Sequence, residues 1–156
     1  MKVIYLKILV VEDDDNKAKQ ISQFLNAIIE DLNLTIKKSF QSGMEAIINN
    51  LFDLVLLDMS MPTFEASPSK PKGRHRHYAG KDILTEMKRE GVSIPTIVVT
   101  QFGVFGEGSD TMNSEQLDIN LKGEFPEMYL GMVHYNTSVS DWRKSLEEFL
   151  KRNFSI

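Results

Sequence analysis

No cysteine occurs anywhere in the 156 residues. That absence excludes disulfides, thiolate catalysis and cysteine-built zinc sites. Positive charge is not in excess either: 18 lysines and arginines stand against 22 acids, a formal net charge of −4. Nothing in that balance attracts a polyanion, so no nucleic-acid binding is expected. No hydrophobic run resembles a membrane span, and the apolar stretch before Glu12 meets acids without a small-residue cleavage site. The expected address is the cytoplasm, with no membrane association. There is no internal repeat and no domain linker. No phosphate-cradling glycine loop follows the first apolar run, which counts against a nucleotide or flavin site.

What the chain does have is alternation. At this length it forms one domain, residues 1–156, with enough material for a continuous core. Apolar runs at 5–11, 34–39, 54–58, 96–100 and 128–134 read as strands. Helical spacing marks 15–32, 42–50, 81–90, 113–124 and 141–151 as helices, with Gly91 closing the third and Ser140 capping the last. Gly131 weakens the fifth strand pattern. Only residues 153–156 follow the last helix, so no output domain is expected. Five β/α units with short connections predict an α/β fold, a doubly wound five-stranded parallel sheet with helices on both faces.

Two acidic signatures end buried-type strands. Glu12-Asp13-Asp14 follows Ile8-Leu9-Val10-Val11, and Asp58 follows Leu54-Val55-Leu56-Leu57. In a doubly wound sheet of order 2-1-3-4-5, strands one and three are neighbours at the topological switch point, where ligands bind. The carboxylates then face each other across one crevice. Such a cluster is costly without a cation, which points to Mg²⁺. Asp14 and Asp15 read more simply as the start of the first helix, where acids suit the dipole.

These residues, with Met59-Ser60-Met61-Pro62 after Asp58 and Pro95-Thr96-Ile97-Val98-Val99-Thr100, give the chain a resemblance to the receiver domain of two-component response regulators. The resemblance covers essentially the whole chain in element order and implies the flavodoxin-like receiver fold. It makes Asp58 the phosphoacceptor and Thr100 the switch hydroxyl. Glu12, Asp13 and Asp58, with the backbone carbonyl of Ser60, become the Mg²⁺ ligands. The implied partners are a histidine kinase or phosphotransfer protein, a downstream protein, and a second copy of the chain as a homodimer. No separate substrate turnover is expected, so the chain is not read as an enzyme.

The match is uneven. The family ordinarily carries a Lys-Pro pair just after strand five; here the stretch is Met132-Val133-His134-Tyr135-Asn136. His134 stands near the lysine position, and Lys122 is a more distant stand-in. The strand-five aromatic has no clear counterpart, Tyr129 and Tyr135 being the nearby candidates, and Gln101 replaces a usually small residue. Two insertions, about 63–78 and 102–111, flank the crevice. The first carries Lys70, Lys72, Arg74, His75, Arg76 and His77, and its composition predicts a mobile loop. It can attract an acidic partner or reach the phosphoryl group in place of the lysine. His75-x-His77 is too short for a zinc site. The second is glycine-rich, with Phe102 and Phe105 as an aromatic pair, and reads as a hinged lid or a plain connection. The altered strand-five region motivates an alternative, a phosphorylation-independent interaction module. A Mg²⁺-dependent phosphohydrolase is a weaker third reading, because Ser60 stands where a second aspartate would serve as general acid.

Overall fold

The computed structural model describes residues 5–101, 103–137 and 141–156. In chain order the elements are β1 (Tyr5–Val11), α1 (Asp15–Ile28), β2 (Asp31–Lys37), α2 (Phe40–Asn49), β3 (Leu54–Leu57), β4 (Met61–Pro62) and β5 (His75–Arg76). They continue as α3 (Ala79–Arg89), β6 (Thr96–Thr100), β7 (Val104–Phe105), β8 (Met112–Asn113), α4 (Ser114–Glu124), β9 (Tyr129–His134) and α5 (Asp141–Asn153). The central sheet is five-stranded and parallel, ordered β2-β1-β3-β6-β9. Counting those five strands alone, the order is 2-1-3-4-5.

Burial follows from position in the sheet. β3 and β6 lie between neighbours and are buried at every residue. Edge strand β2 has only exposed and half-buried positions. Within β1, side chains of Leu9 and Val11 enter one core with α2, α3 and α4, while Ile8 and Val10 enter the other with α1 and α5. That is the two-residue period of a strand covered on both faces. Each fully buried aliphatic side chain contributes roughly 1.5–3 kcal/mol, so the two cores hold the strand ends in fixed register.

Several element ends differ by a few residues from the sequence expectation, and β9 carries an irregularity. Helix α1 stops at Ile28, because Ile29 turns extended (φ −110°, ψ 121°) while keeping its side chain in the core. The chain enters β2 at Asp31, three residues earlier than expected. In β9 the register slips between Thr96 and Ile97, which pair with Tyr129 and Gly131, leaving Leu130 as a bulge. Gly131 has a packing reason: a Cβ there would lie 2.5 Å from Cζ of Phe149 on α5. Ser140, the expected cap of α5, and Phe102 lie outside the described residues.

The first insertion is not the loose loop its composition suggests. β4 and β5 pair antiparallel, Thr63 N–H and Gly73 N–H continue the ladder to Arg74 and Phe64 carbonyls, and Ser67 and Lys70 close the tip. Glu65 accepts from Ser39 (2.5 Å) and Ser42 (2.9 Å) at the start of α2. Arg76 lies 4.0 Å over the Phe40 ring and Lys70 4.2 Å over Phe64. The basic residues are thus partly spent on holding the hairpin to the body. In the second insertion β7 pairs with β8. Tyr78 joins the two insertions by donating to the carbonyls of Phe105 (3.0 Å) and Asp110 (3.1 Å).

Candidate functional site

The strand ends bring the acids together. Val11 and Leu57 are register partners on adjacent strands, and Asp58 N–H donates to Val11 O at 3.0 Å. Glu12 N–H is held in turn by Lys37 O at 2.8 Å. One carboxylate oxygen from each of Glu12, Asp13 and Asp58 lies within 4.8 Å of the others. Glu12 and Asp58 are only 2 % and 5 % exposed, and Asp13 is half-buried. Asp14 serves α1: its side chain accepts from Lys17 N–H at 3.0 Å as an N-cap. Asp15 points outward to Lys38 at 2.5 Å. Both are helix-start acids, as their positions suggested.

The side chain that sequence reasoning missed is Lys17. It is 2 % exposed, and its Nζ lies 2.5 Å from Glu12 Oε1, 3.4 Å from Asp58 Oδ1 and 2.7 Å from Val99 O. A signal was available: Lys17 precedes Ile21 and Leu25 by one and two turns, so it sits on the inward stripe of α1. A lysine there, one turn beyond an acidic pair, has a reason to be buried.

Electrostatics follow from burial. Desolvation, then repulsion from Asp58, push the Glu12 carboxyl up to about 8, although Lys17 pulls the other way. Desolvation also raises Asp58, against the attraction of Lys17 and the Met59 N–H, which donates to its Oδ1 at 2.8 Å. Three carboxylates here face one ammonium, so full ionisation leaves two uncompensated negative charges. A dication with a preference for oxygen ligands fits that deficit.

Around this centre Asp14, Ser60, His75 and Gln101 complete the pocket lining. Ser60 Oγ hydrogen-bonds His75 Nε2 across the hairpin. His77 pairs with Glu107 at 3.1 Å, and the His75 and His77 rings are 5.8 Å apart. Among the described residues, Glu12, Asp13 and Asp58 form the only metal-type cluster of acids and histidines. Backbone packing fixes Asp58 from behind: Gly80 N–H donates to Met59 O, and a Cβ on Gly80 would lie 2.6 Å from Asp58 O.

The remaining expected residues are less central. Thr100 is fully buried at the end of β6, paired with His134. His134 itself is exposed and is not part of the pocket lining. The structure therefore does not bring it to the lysine's task; at the end of β9 its side chain has turned to solvent. Lys122 is on α4, paired with Asp118 at 3.0 Å. Tyr129 donates to Asp118 at 2.6 Å, whereas Tyr135 is buried beneath Lys17 and against Trp142.

A parallel sheet of this order with acids gathered where strands one and three end defines a receiver-type signalling domain. The comparisons agree. The phosphorylated cyanobacterial phytochrome response regulator RcpA superposes with a TM-score of 0.66 at 17 % identity, over 97 % of this chain and 96 % of that one. The Detocs response regulatory protein DtcB of Enterobacter cloacae (strain JD6301) is 30 % identical over 143 residues, 90 % of this chain and 95 % of the relative. DtcB of Vibrio alginolyticus is 22 % identical over 147 residues, 92 % and 99 % of the two chains. No protein-family model matches the sequence. The chain belongs to the response regulator receiver family of two-component signalling, in company with these DtcB proteins. Among the described residues, no helix is long and apolar enough to cross a membrane.

Proposed function

We propose that this receiver accepts a phosphoryl group on Asp58 from a histidine kinase or phosphotransfer protein, and signals through contacts with a downstream protein. The observation that carries the reading is the gathering of Glu12, Asp13 and Asp58 within 4.8 Å at the switch point. Glu12, Asp13 and Asp58, with the backbone carbonyl of Ser60, would hold Mg²⁺. When bound, the ion supplies charge neutralisation at the transferring phosphoryl group. Asp58 is the nucleophile in this reading: it stands at the end of β3 beside Glu12, Asp13 and Lys17, with its backbone fixed by Val11 O and Gly80 packing. Burial in a pocket lined by β-strand ends limits water access to the acyl phosphate. Thr100, at the end of β6, is the hydroxyl that would report the new group to the β6–α4 side. The reaction is a single self-modification on a cytoplasmic protein, without turnover of a separate substrate.

The test is incubation with Mg²⁺ and a small phosphodonor such as acetyl phosphate. Intact-mass analysis should show a gain of one phosphoryl group that the Asp58→Asn variant does not take up. If prolonged labelling leaves the wild-type mass unchanged, the interaction-module reading takes precedence. Continuous phosphate release from an unrelated phosphomonoester would instead revive a hydrolase.

A further inference from the structure

The pocket's one ammonium arrives from α1, yet it lies toward the far side of the sheet. Lys17 Nζ reaches Val99 O on β6, and it lies 5.7 Å from the centroid of the Tyr135 ring, just past the end of β9. Its nearest oxygens are Glu12 Oε1 at 2.5 Å and Val99 O at 2.7 Å, with Asp58 Oδ1 farther off at 3.4 Å as an ion-pair partner. We infer that Lys17 is the catalytic cation for phosphoryl transfer to Asp58, performing from the first helix the task for which the fifth central strand carries no lysine. The inference rests on Asp58 being the phosphoacceptor.

The chemistry asks for such a group. With acetyl phosphate, an Asp58 oxygen forms the new P–O bond while the donor's acyl P–O bond breaks, its electron pair leaving with acetate. No proton moves. Total charge is conserved: the phosphoryl oxygens bring two negative charges against the Asp58 carboxylate and acetate carries one away, so negative charge is gathered beside Asp58 as the bond forms. A fixed cation in a water-poor site acts most strongly on charge that develops there. Lys17, buried against Glu12 and Asp58, meets that condition.

Two other roles for the ammonium fit less well. A purely structural position on the inward stripe of α1 is satisfied at lower cost by an apolar residue, as at Ile21 and Leu25. A permanent substitute for the metal would need to engage the whole acidic set. Among the described residues Lys17 pairs with Glu12 and Asp58, while Asp13 has no ion pair with it. Two negative charges therefore remain for a dication.

The experiment compares wild type, Asp58→Asn, Lys17→Met and Lys17→Arg in acetyl phosphate labelling and in Mg²⁺ titration. Trp142, the only tryptophan, packs 5.1 Å from Tyr135 and reports on the pocket by fluorescence. Lys17→Met should label about a hundredfold more slowly, without weaker Mg²⁺ binding, and Lys17→Arg should recover part of the rate. Labelling of Lys17→Met at the wild-type rate overturns the inference and leaves Asp58 as phosphoacceptor intact. Equal losses in both variants together with lost Mg²⁺ binding also overturn it, by making Lys17 structural. If wild type itself does not label, the phosphoacceptor reading fails and this assignment fails with it. Should Lys17→Met not fold, the ¹⁵N resonance of the Lys17 ammonium in wild type decides. It should shift on phosphorylation, and an unmoved signal overturns the assignment.

Discussion

At the residue scale, the pocket is a problem of charge in a dry place. Glu12, Asp13 and Asp58 converge, and among the described residues only Lys17 pairs with them. Asp13 is the half-buried member without a pairing to Lys17, so its charge is the one most available to a dication. Asp13→Asn should therefore weaken Mg²⁺ binding. Loss of an outer-shell partner already costs about 10–100-fold in metal affinity, so loss of a direct ligand should cost at least on the order of tenfold. Titration followed by Trp142 fluorescence checks this, and unchanged affinity in the variant refutes the ligand assignment. The legibility of the site divides along the same line. Glu12, Asp13 and Asp58 could be read because each follows an uninterrupted apolar run, and strand ends are where such a sheet keeps its chemistry. Lys17 was harder to read: periodicity puts it on the inward stripe of α1, but a lysine ordinarily faces solvent. His134 was attractive only by linear position. At the end of β9 its side chain points away, and linear position alone does not specify a direction.

At the element scale, what was legible was whatever depends on local pattern. β3 and β6 are buried at every position, and their runs without alternation said so. The hairpin β4–β5 had no such signal. Its order comes from distant partners: Glu65 on Ser39 and Ser42, Arg76 on Phe40, and the Tyr78 clamp on the second insertion. Composition records the charges in that segment but not the rings and hydroxyls they find. The α4–β9 contact offers a quantitative check at this scale. Tyr129 is buried, and burial first, then its hydrogen bond to Asp118, raises the phenol well above its ordinary value of 10.0. A raised folded-state pKa contributes stability that is fully present below the unfolded value and lost as pH rises toward the folded one. The wild-type melting temperature should therefore fall above about pH 10. Tyr129→Phe should cost about 1–2 kcal/mol at neutral pH through the lost hydrogen bond, and its alkaline decline should be shallower. Parallel curves for the two proteins above pH 10 would reject a stabilising role for this phenol.

At the scale of the whole molecule, the sheet supports a site that works against it. Two cores secure β1, β3 and β6 from both faces, and that surplus tolerates two buried carboxylates held 4.8 Å or less from a third. Sites of this kind commonly cost stability that a functional ligand restores. Removing one charge should then relieve the metal-free protein. Asp58→Asn should raise its stability by roughly 0.5–2 kcal/mol, because Lys17 keeps Glu12 as a partner at 2.5 Å while the repulsion between Glu12 and Asp58 disappears. Mg²⁺ should act in the opposite order. A ligand bound only by the folded state stabilises it by about 2.7 kcal/mol at a hundredfold excess over its dissociation constant. For a domain of this size that corresponds to a rise of roughly 5–10 °C in melting temperature. Wild type should show this rise, and Asp58→Asn, lacking one ligand charge, should show much less at the same concentration. Thermal melts with and without Mg²⁺ give all four values. If Asp58→Asn is less stable than wild type without metal, the pocket carries no strain. In that case the paired carboxylates and Lys17 form a structural network that holds the strand ends together.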